Sequence, residues 1–123
     1  MASPKPTKPH GYPRRLRLSG RTAIRAVFST GRHHRLGLLH AKTLPTELSD
    51  ARFLISVKKS IGTAPERNRI KRLVREAIRR QRHRMRRPYD ICLFLPVPPR
   101  QAVTLARIDA EIITLFERLD GTR

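Results

Sequence analysis

The sequence predicts an α+β fold, a small two-layer sandwich in the order helix, strand, strand, helix, strand, helix. Three stretches carry that expectation. Arg52 to Lys58 alternates, with Phe53, Ile55 and Val57 on one side and Arg52, Leu54, Ser56 and Lys58 on the other, as a half-buried strand does. Ile70, Leu73, Val74, Ala77 and Ile78 recur at the spacing of one helical face within residues 62–84. Tyr89 to Val97 is almost unbroken apolar chain, which suits a strand covered on both faces at the centre of a sheet. With 123 residues the chain fits a single domain with a modest core.

In chain order, residues 1–13 hold four prolines and little apolar surface, and read as a disordered basic arm. The folded domain is expected over 14–119, with 120–123 as a tail. Ser19 to Gly31 predicts a short helix, capped by Ser19 or Thr22, with Ile24, Val27 and Phe28 on its apolar side and Gly31 as its stop. Arg32-His33-His34-Arg35 reads as a basic loop. Leu36 to Leu44 predicts a strand with Leu36, Leu38, His40 and Lys42 on one face and Gly37, Leu39, Ala41 and Thr43 on the other. Together with 52–58 it is expected to form an antiparallel hairpin across the turn at 45–50. Pro65 suits the first turn of the helix in 62–84, with Thr63 or Ala64 near its cap. Pro96, Pro98 and Pro99 end the late strand, and Thr104 to Leu119 makes a last amphipathic helix.

The helix within 62–84 is the chemically distinctive element. At about 100° per residue its polar side carries Asn68, Lys71, Arg72, Arg75, Arg79 and Arg82, and only Glu76 dilutes the charge. Lys71/Arg75, Arg75/Arg79 and Arg72/Arg79 are like-sign neighbours, and such pairs repel unless a polyanion lies over them. The whole chain carries a formal net charge of +19 with a pI near 11.8. That balance points to nucleic acid and to salt-sensitive binding. Arg outnumbers Lys, which favours bidentate phosphate contacts.

Other classes fit less well. No apolar run reaches the roughly 20 residues of a membrane-spanning helix. The nine acids are scattered, without a two-metal pattern, a phosphate loop or a nucleophile–base arrangement, so no catalytic residue is assigned to the chain. His33 and His34, adjacent and without nearby Cys or carboxylate, are not assigned as metal ligands. Cys92, the one cysteine, sits in an apolar run and reads as a core thiol; its solitude fits a reducing cytoplasm. Most of the few aromatics fall on expected core positions, Phe28 being the one left open as a stacking group.

Residues 56–76 supply a more specific pointer. Ser56-Val57-Lys58-Lys59-Ser60-Ile61-Gly62, followed by Arg67-Asn68-Arg69-Ile70-Lys71-Arg72-Leu73-Val74-Arg75-Glu76, resembles the signature of the bacterial ribonuclease P protein family. Val27-Phe28, Gly31 and Tyr89-Asp90-Ile91 extend the resemblance over about residues 14–119. It implies a fold like that of a ribosomal-protein domain, with a left-handed strand–helix–strand crossover. It also implies a partner, a catalytic RNA that removes the 5′ leader of precursor tRNA using Mg2+ held mainly by the RNA. By the same resemblance Arg67, Asn68, Arg69, Lys71, Arg72, Arg75 and Arg79, with Lys58 and Lys59, would contact the RNA. A cleft between the first helix and the sheet would take the leader, with Phe28, His40 and Lys42 as its candidates.

The chain departs from the family pattern at Lys58-Lys59-Ser60, where one lysine is displaced, and at Ile24 and Lys42, which stand where aromatics are common. Electrostatic contact is then expected to replace part of the leader stacking. Two other readings stay open. One is a small basic ribosomal protein of similar fold. The other is a DNA-binding protein, which would need a helix before the basic one where the strand at 52–58 is expected.

Overall fold

The computed structural model describes residues 14–121; the expected arm at 1–13 and the last two residues of the expected tail lie outside the described residues. After one 3-10 turn at Arg14–Leu16, Arg17 bridges Phe53 in parallel and the Leu18 N–H donates to the Phe53 carbonyl at 2.8 Å. Helix α1 (Arg21–Thr30) follows. Its N-cap is Gly20, at φ 94°, with no side-chain cap from Ser19 or Thr22. Gly31 ends it as expected. A Cβ there would sit 2.2 Å from the Val27 carbonyl oxygen, so no side chain fits.

The stretch read as a basic loop is a strand, β1 (Arg32–Arg35). It has no apolar alternation to announce it, because it lies at the sheet edge, where charged side chains are suited. Leu36–Leu39 is the turn of a hairpin, and β2 (His40–Pro45) starts four residues later than the apolar pattern suggested. Strand β3 (Arg52–Ser56) leads through a 3-10 turn at Lys59–Ile61 into α2 (Ala64–Gln81). A further 3-10 turn at Arg82–Arg84 precedes β4 (Tyr89–Phe94), and α3 (Leu105–Gly121) closes the described chain. Thr104 caps α3 by accepting from the Arg107 N–H at 3.2 Å.

The sheet order is β1-β2-β4-β3. β2 and β3 do not pair with each other as the expected hairpin required; β4 lies between them, antiparallel to β2 and parallel to β3. The alternation of β2 and β3 fixes which residues share a face and is silent about which strand is the neighbour. The apolar run of β4 takes the centre, where five of its six residues are buried.

One face of the sheet, with Phe53, Ile91, Leu93 and Ala41, packs under α2 and α3 through Val74, Ala77, Ile78, Ile108, Ile112, Leu115 and Phe116. The other face, with Cys92, Leu44 and Leu54, is covered only in part, by Val27, Ala23 and Ile24 of α1. Among the described residues, three helices on four strands thus leave part of one sheet face open. Cys92 is the expected core thiol, fully buried, and burial pushes it up to about 11.

Candidate nucleic-acid interface

Helix α2 starts at a defined place because Thr63 and Glu66 form a capping box. Thr63 Oγ1 accepts from the Glu66 N–H at 3.3 Å, and Glu66 Oε1 accepts from the Thr63 N–H at 2.9 Å. Hydrogen bonding to the Thr63 backbone N–H first, and to its hydroxyl second, holds the Glu66 carboxyl below the usual range. Buried Ile70, Val74, Ala77, Ile78 and Gln81 fix the rotation of the helix, so Asn68, Arg69, Arg72 and Arg75 stand exposed on the opposite side. Lys71 lies at the flank and is half-buried. Arg67 is also half-buried, its guanidinium donating to the Gly62 carbonyl at 3.1 Å, which ties the first turn to the incoming loop. Arg79 makes a two-pronged pair with Glu76, which raises its pKa and leaves it the least available cation of the row. Lys58 and Lys59 are exposed on the approach to the helix.

The partly open sheet face holds a second group. Phe28 of α1, His40 and Lys42 of β2, His33 of β1 and Phe94 of β4 converge there. His33 Nε2 and His40 Nδ1 are hydrogen-bonded at 2.9 Å. The Phe94 ring lies 6.0 Å from His33, 5.7 Å from His40 and 6.3 Å from Phe28. Lys42 Nζ donates to the Phe28 carbonyl at 2.7 Å and sits 5.9 Å from the Phe28 ring centre. Its charge therefore meets an unpaired carbonyl in the last turn of α1, where the helix dipole favours a cation. The floor is aromatic, the rim is cationic, and Phe28 is 38% exposed. Such a surface can stack bases and neutralise phosphates together.

All three cleft candidates named from the sequence, Phe28, His40 and Lys42, are thus brought together. His33 and Phe94 were missed. His33 was hidden because β1 read as a loop, and Phe94 because it ends an apolar run that read as core throughout. The register Arg35↔His40 and His40↔Phe94 is what collects them. His34 points the other way and is buried, its Nε2 3.0 Å from Thr43 Oγ1. Burial lowers its pKa most, and neighbouring Arg32, Arg118 and His33 add to the effect.

The two surfaces lie at the same end of the molecule. β3 and β4 run in parallel, so Ser56 and Phe94 mark one end of the sheet. The loop through Lys58 to Arg67–Arg69 leaves from that end, and His40 pairs with Phe94 there. The face under α2 and the open face thus present their cations around one edge. Among the described residues, no group of three or more His, Cys, Asp or Glu could hold a metal ion. Among them too, no helix is long and apolar enough to cross a membrane.

A family model described as Ribonuclease P matches residues 12–120. The chain is 31% identical over 125 residues to a ribonuclease P protein component of Methylococcus capsulatus, covering 99% of this chain and 98% of that one. It is 35% identical over 80 residues to one of Desulfatibacillum aliphaticivorans, covering 65% and 68%. Among solved structures, the RNase P protein of Thermotoga maritima superimposes with a TM-score of 0.71 at 24% identity, over 83% of this chain and 96% of that one. That of Staphylococcus aureus gives 0.71 at 22%, over 85% and 94%.

Proposed function

The chain belongs to the ribonuclease P protein family, and on that premise we propose that its two surfaces divide two RNA strands between them. It is the protein subunit of a ribonucleoprotein endoribonuclease and assists the ribonuclease P RNA in processing precursor tRNA. In our reading, Arg67, Asn68, Arg69, Lys71, Arg72 and Arg75, with Lys58 and Lys59 and in lesser part Arg79, grip the catalytic RNA. The open-face cleft takes the single-stranded leader of the precursor.

The chemistry of the two surfaces supports the division. The α2 row is guanidinium without aromatic rings, which suits the backbone of a structured RNA. The cleft offers rings for bases and Lys42 for a phosphate, which suits a single strand. In this reading bond cleavage belongs to the RNA, with Mg2+ held mainly by the RNA, as the family resemblance implies. This chain's part is to bind, to orient the leader and to lower repulsion between two polyanions. We place the work in the cytoplasm, with 14–119 as one RNA-binding domain and 1–13 as a basic arm.

The observation that carries this reading is the convergence of Phe28, His33, His40, Lys42 and Phe94 at the sheet end that also presents Arg67–Arg69. Photo-crosslinking tests it. A precursor tRNA with 4-thiouridine in its leader, bound to the reconstituted holoenzyme, is expected to crosslink to peptides containing Phe28, His33–Lys42 or Phe94. Leader crosslinks confined to the 64–81 peptides would overturn the division.

A further inference from the structure

We infer that the protein grips the catalytic RNA at a second place, an arginine-walled groove at the end of the sheet opposite the cleft. The crossover from β3 to β4 creates it. α2 begins where β3 ends and must return to where β4 begins, so its 18 residues span about 27 Å, with Arg67–Arg69 near its start and the Arg82–Arg87 segment beyond its end. Between that segment and the start of β3 runs an open groove, with Leu16, Asp50 and Phe53 on one side and Arg82, Arg86 and Arg87 on the other. Arg14 and Arg17 stand exposed beside Leu16.

The charges there are not spent within the protein. Arg15 pairs with Asp50 at 3.3 Å and Arg86 with Asp120 at 3.4 Å, both in open solvent where such pairs hold weakly. Arg14, Arg17, Arg82 and Arg87 have no carboxylate within 4.0 Å among the described residues. Clustered guanidinium groups without partners repel one another, and a polyanion removes that cost. The groove, about 150 Å³, is smaller than the ~300 Å³ at which small-molecule pockets begin. Its rings, Phe53 and the neighbouring Tyr89, are buried and cannot stack bases. Both features favour the phosphate backbone of a folded RNA over a small ligand or a single strand.

Continuity identifies the RNA. Asn68, Arg72 and Arg75 follow one another along the exposed side of α2, half-buried Arg79 continues the row, and half-buried Arg82 begins the 3-10 turn beyond it, so the row that starts at Arg67–Arg69 leads to the groove. The inference rests on the reading that this row holds the catalytic RNA. The same RNA then continues past the helix end, and the protein clamps it at two points.

Binding of transcribed catalytic RNA to the full-length protein, measured against salt concentration, tests this. Each lost phosphate contact lowers the slope of log K on log[salt] by about 0.9. The variant R82A/R86A/R87A is expected to lose two to three such units, roughly 1.8 to 2.7 in slope, and at least tenfold in affinity at about 0.15 M salt. R82K/R86K/R87K is expected to keep most of both, and the single R87E, on an exposed side chain, to weaken binding without affecting the melting curve. Wild-type slope and affinity in both R82A/R86A/R87A and R87E, while R67A/R69A binds weakly, would overturn the second grip and leave the first intact. Wild-type binding by all of these variants would overturn the α2 reading and the inference with it. Normal binding of the catalytic RNA, with loss only when precursor tRNA is added, would make tRNA the occupant and also overturn it.

Discussion

His33 Nε2 and His40 Nδ1 face each other at 2.9 Å across the β1–β2 hairpin, so one ring donates its hydrogen and the other accepts. The bond survives only while at least one ring is neutral. Burial lowers the pKa of His40 first, and the charges of His33 and Arg35 add to it, against a smaller opposing effect of Glu111. His34, on the opposite face, is lowered as well.

A histidine lowered on folding binds fewer protons in the native state than in the unfolded chain. Stability is then fully present above the ordinary histidine pKa of about 6.5 and falls as pH drops through the lowered native value. The melting temperature is expected to fall by a few degrees between pH 7.5 and pH 5.5, a window clear of the carboxylates. His40→Gln is expected to flatten part of that slope. A melting temperature constant over the window would contradict the arrangement.

Glu111 is a buried carboxylate whose oxygens accept the backbone N–H groups of Leu38 at 3.0 Å and Leu39 at 2.7 Å, with Arg107 adding a third donor at 3.1 Å. It holds the turn that delivers His40 to the cleft. Glu111→Ala leaves two inward N–H groups without partners, at about 1–3 kcal/mol each. A loss of roughly 2–4 kcal/mol is expected in urea denaturation, with Glu111→Gln milder. A loss below about 1 kcal/mol would show that the turn holds itself.

Thr63→Ala removes one half of the capping box. Denaturation should record a loss of about 1 kcal/mol, and RNA affinity should fall less than in Arg67→Ala/Arg69→Ala, since the cations remain. An RNA defect equal to that of the arginine variant would mean that Thr63 itself touches RNA.

Phe28→Ala/Lys42→Ala removes one stacking ring and the cation above it. A stacked base is worth about 1–3 kcal/mol, so holoenzyme affinity for a precursor tRNA with a leader should fall about tenfold or more. Affinity for mature tRNA should not change. Equal loss for both would place the effect outside the cleft.

Much of this was legible in the chain because it rests on local pattern. The helix start near Thr63, the burial of Val74 and Ile78 and the exposure of Arg72 and Arg75 follow from spacing within one helix. The central place of β4 follows from its unbroken apolar run. What was hidden depends on pairing between distant residues. Arg32–Arg35 becomes a strand only because Ala41 and its neighbours lie beside it, and Phe94 joins the cleft only through its register with His40. The β2–β3 hairpin failed for the same reason, since alternation cannot say that β4 will insert between two strands. Arg67 was expected from the family resemblance only as an RNA contact, yet its guanidinium also braces Gly62.

The most direct measurement is cleavage of a labelled precursor tRNA by transcribed catalytic RNA at low Mg2+, with the protein present, absent, or replaced by Arg67→Ala/Arg69→Ala. The wild-type protein is expected to restore cleavage, the variant to need about tenfold or more protein for the same rate, and the protein alone to cleave nothing. Restoration by the variant at wild-type concentrations would contradict the assignment of the grip to α2. Failure of the wild type to restore cleavage, with RNA binding intact, would contradict the account as a whole.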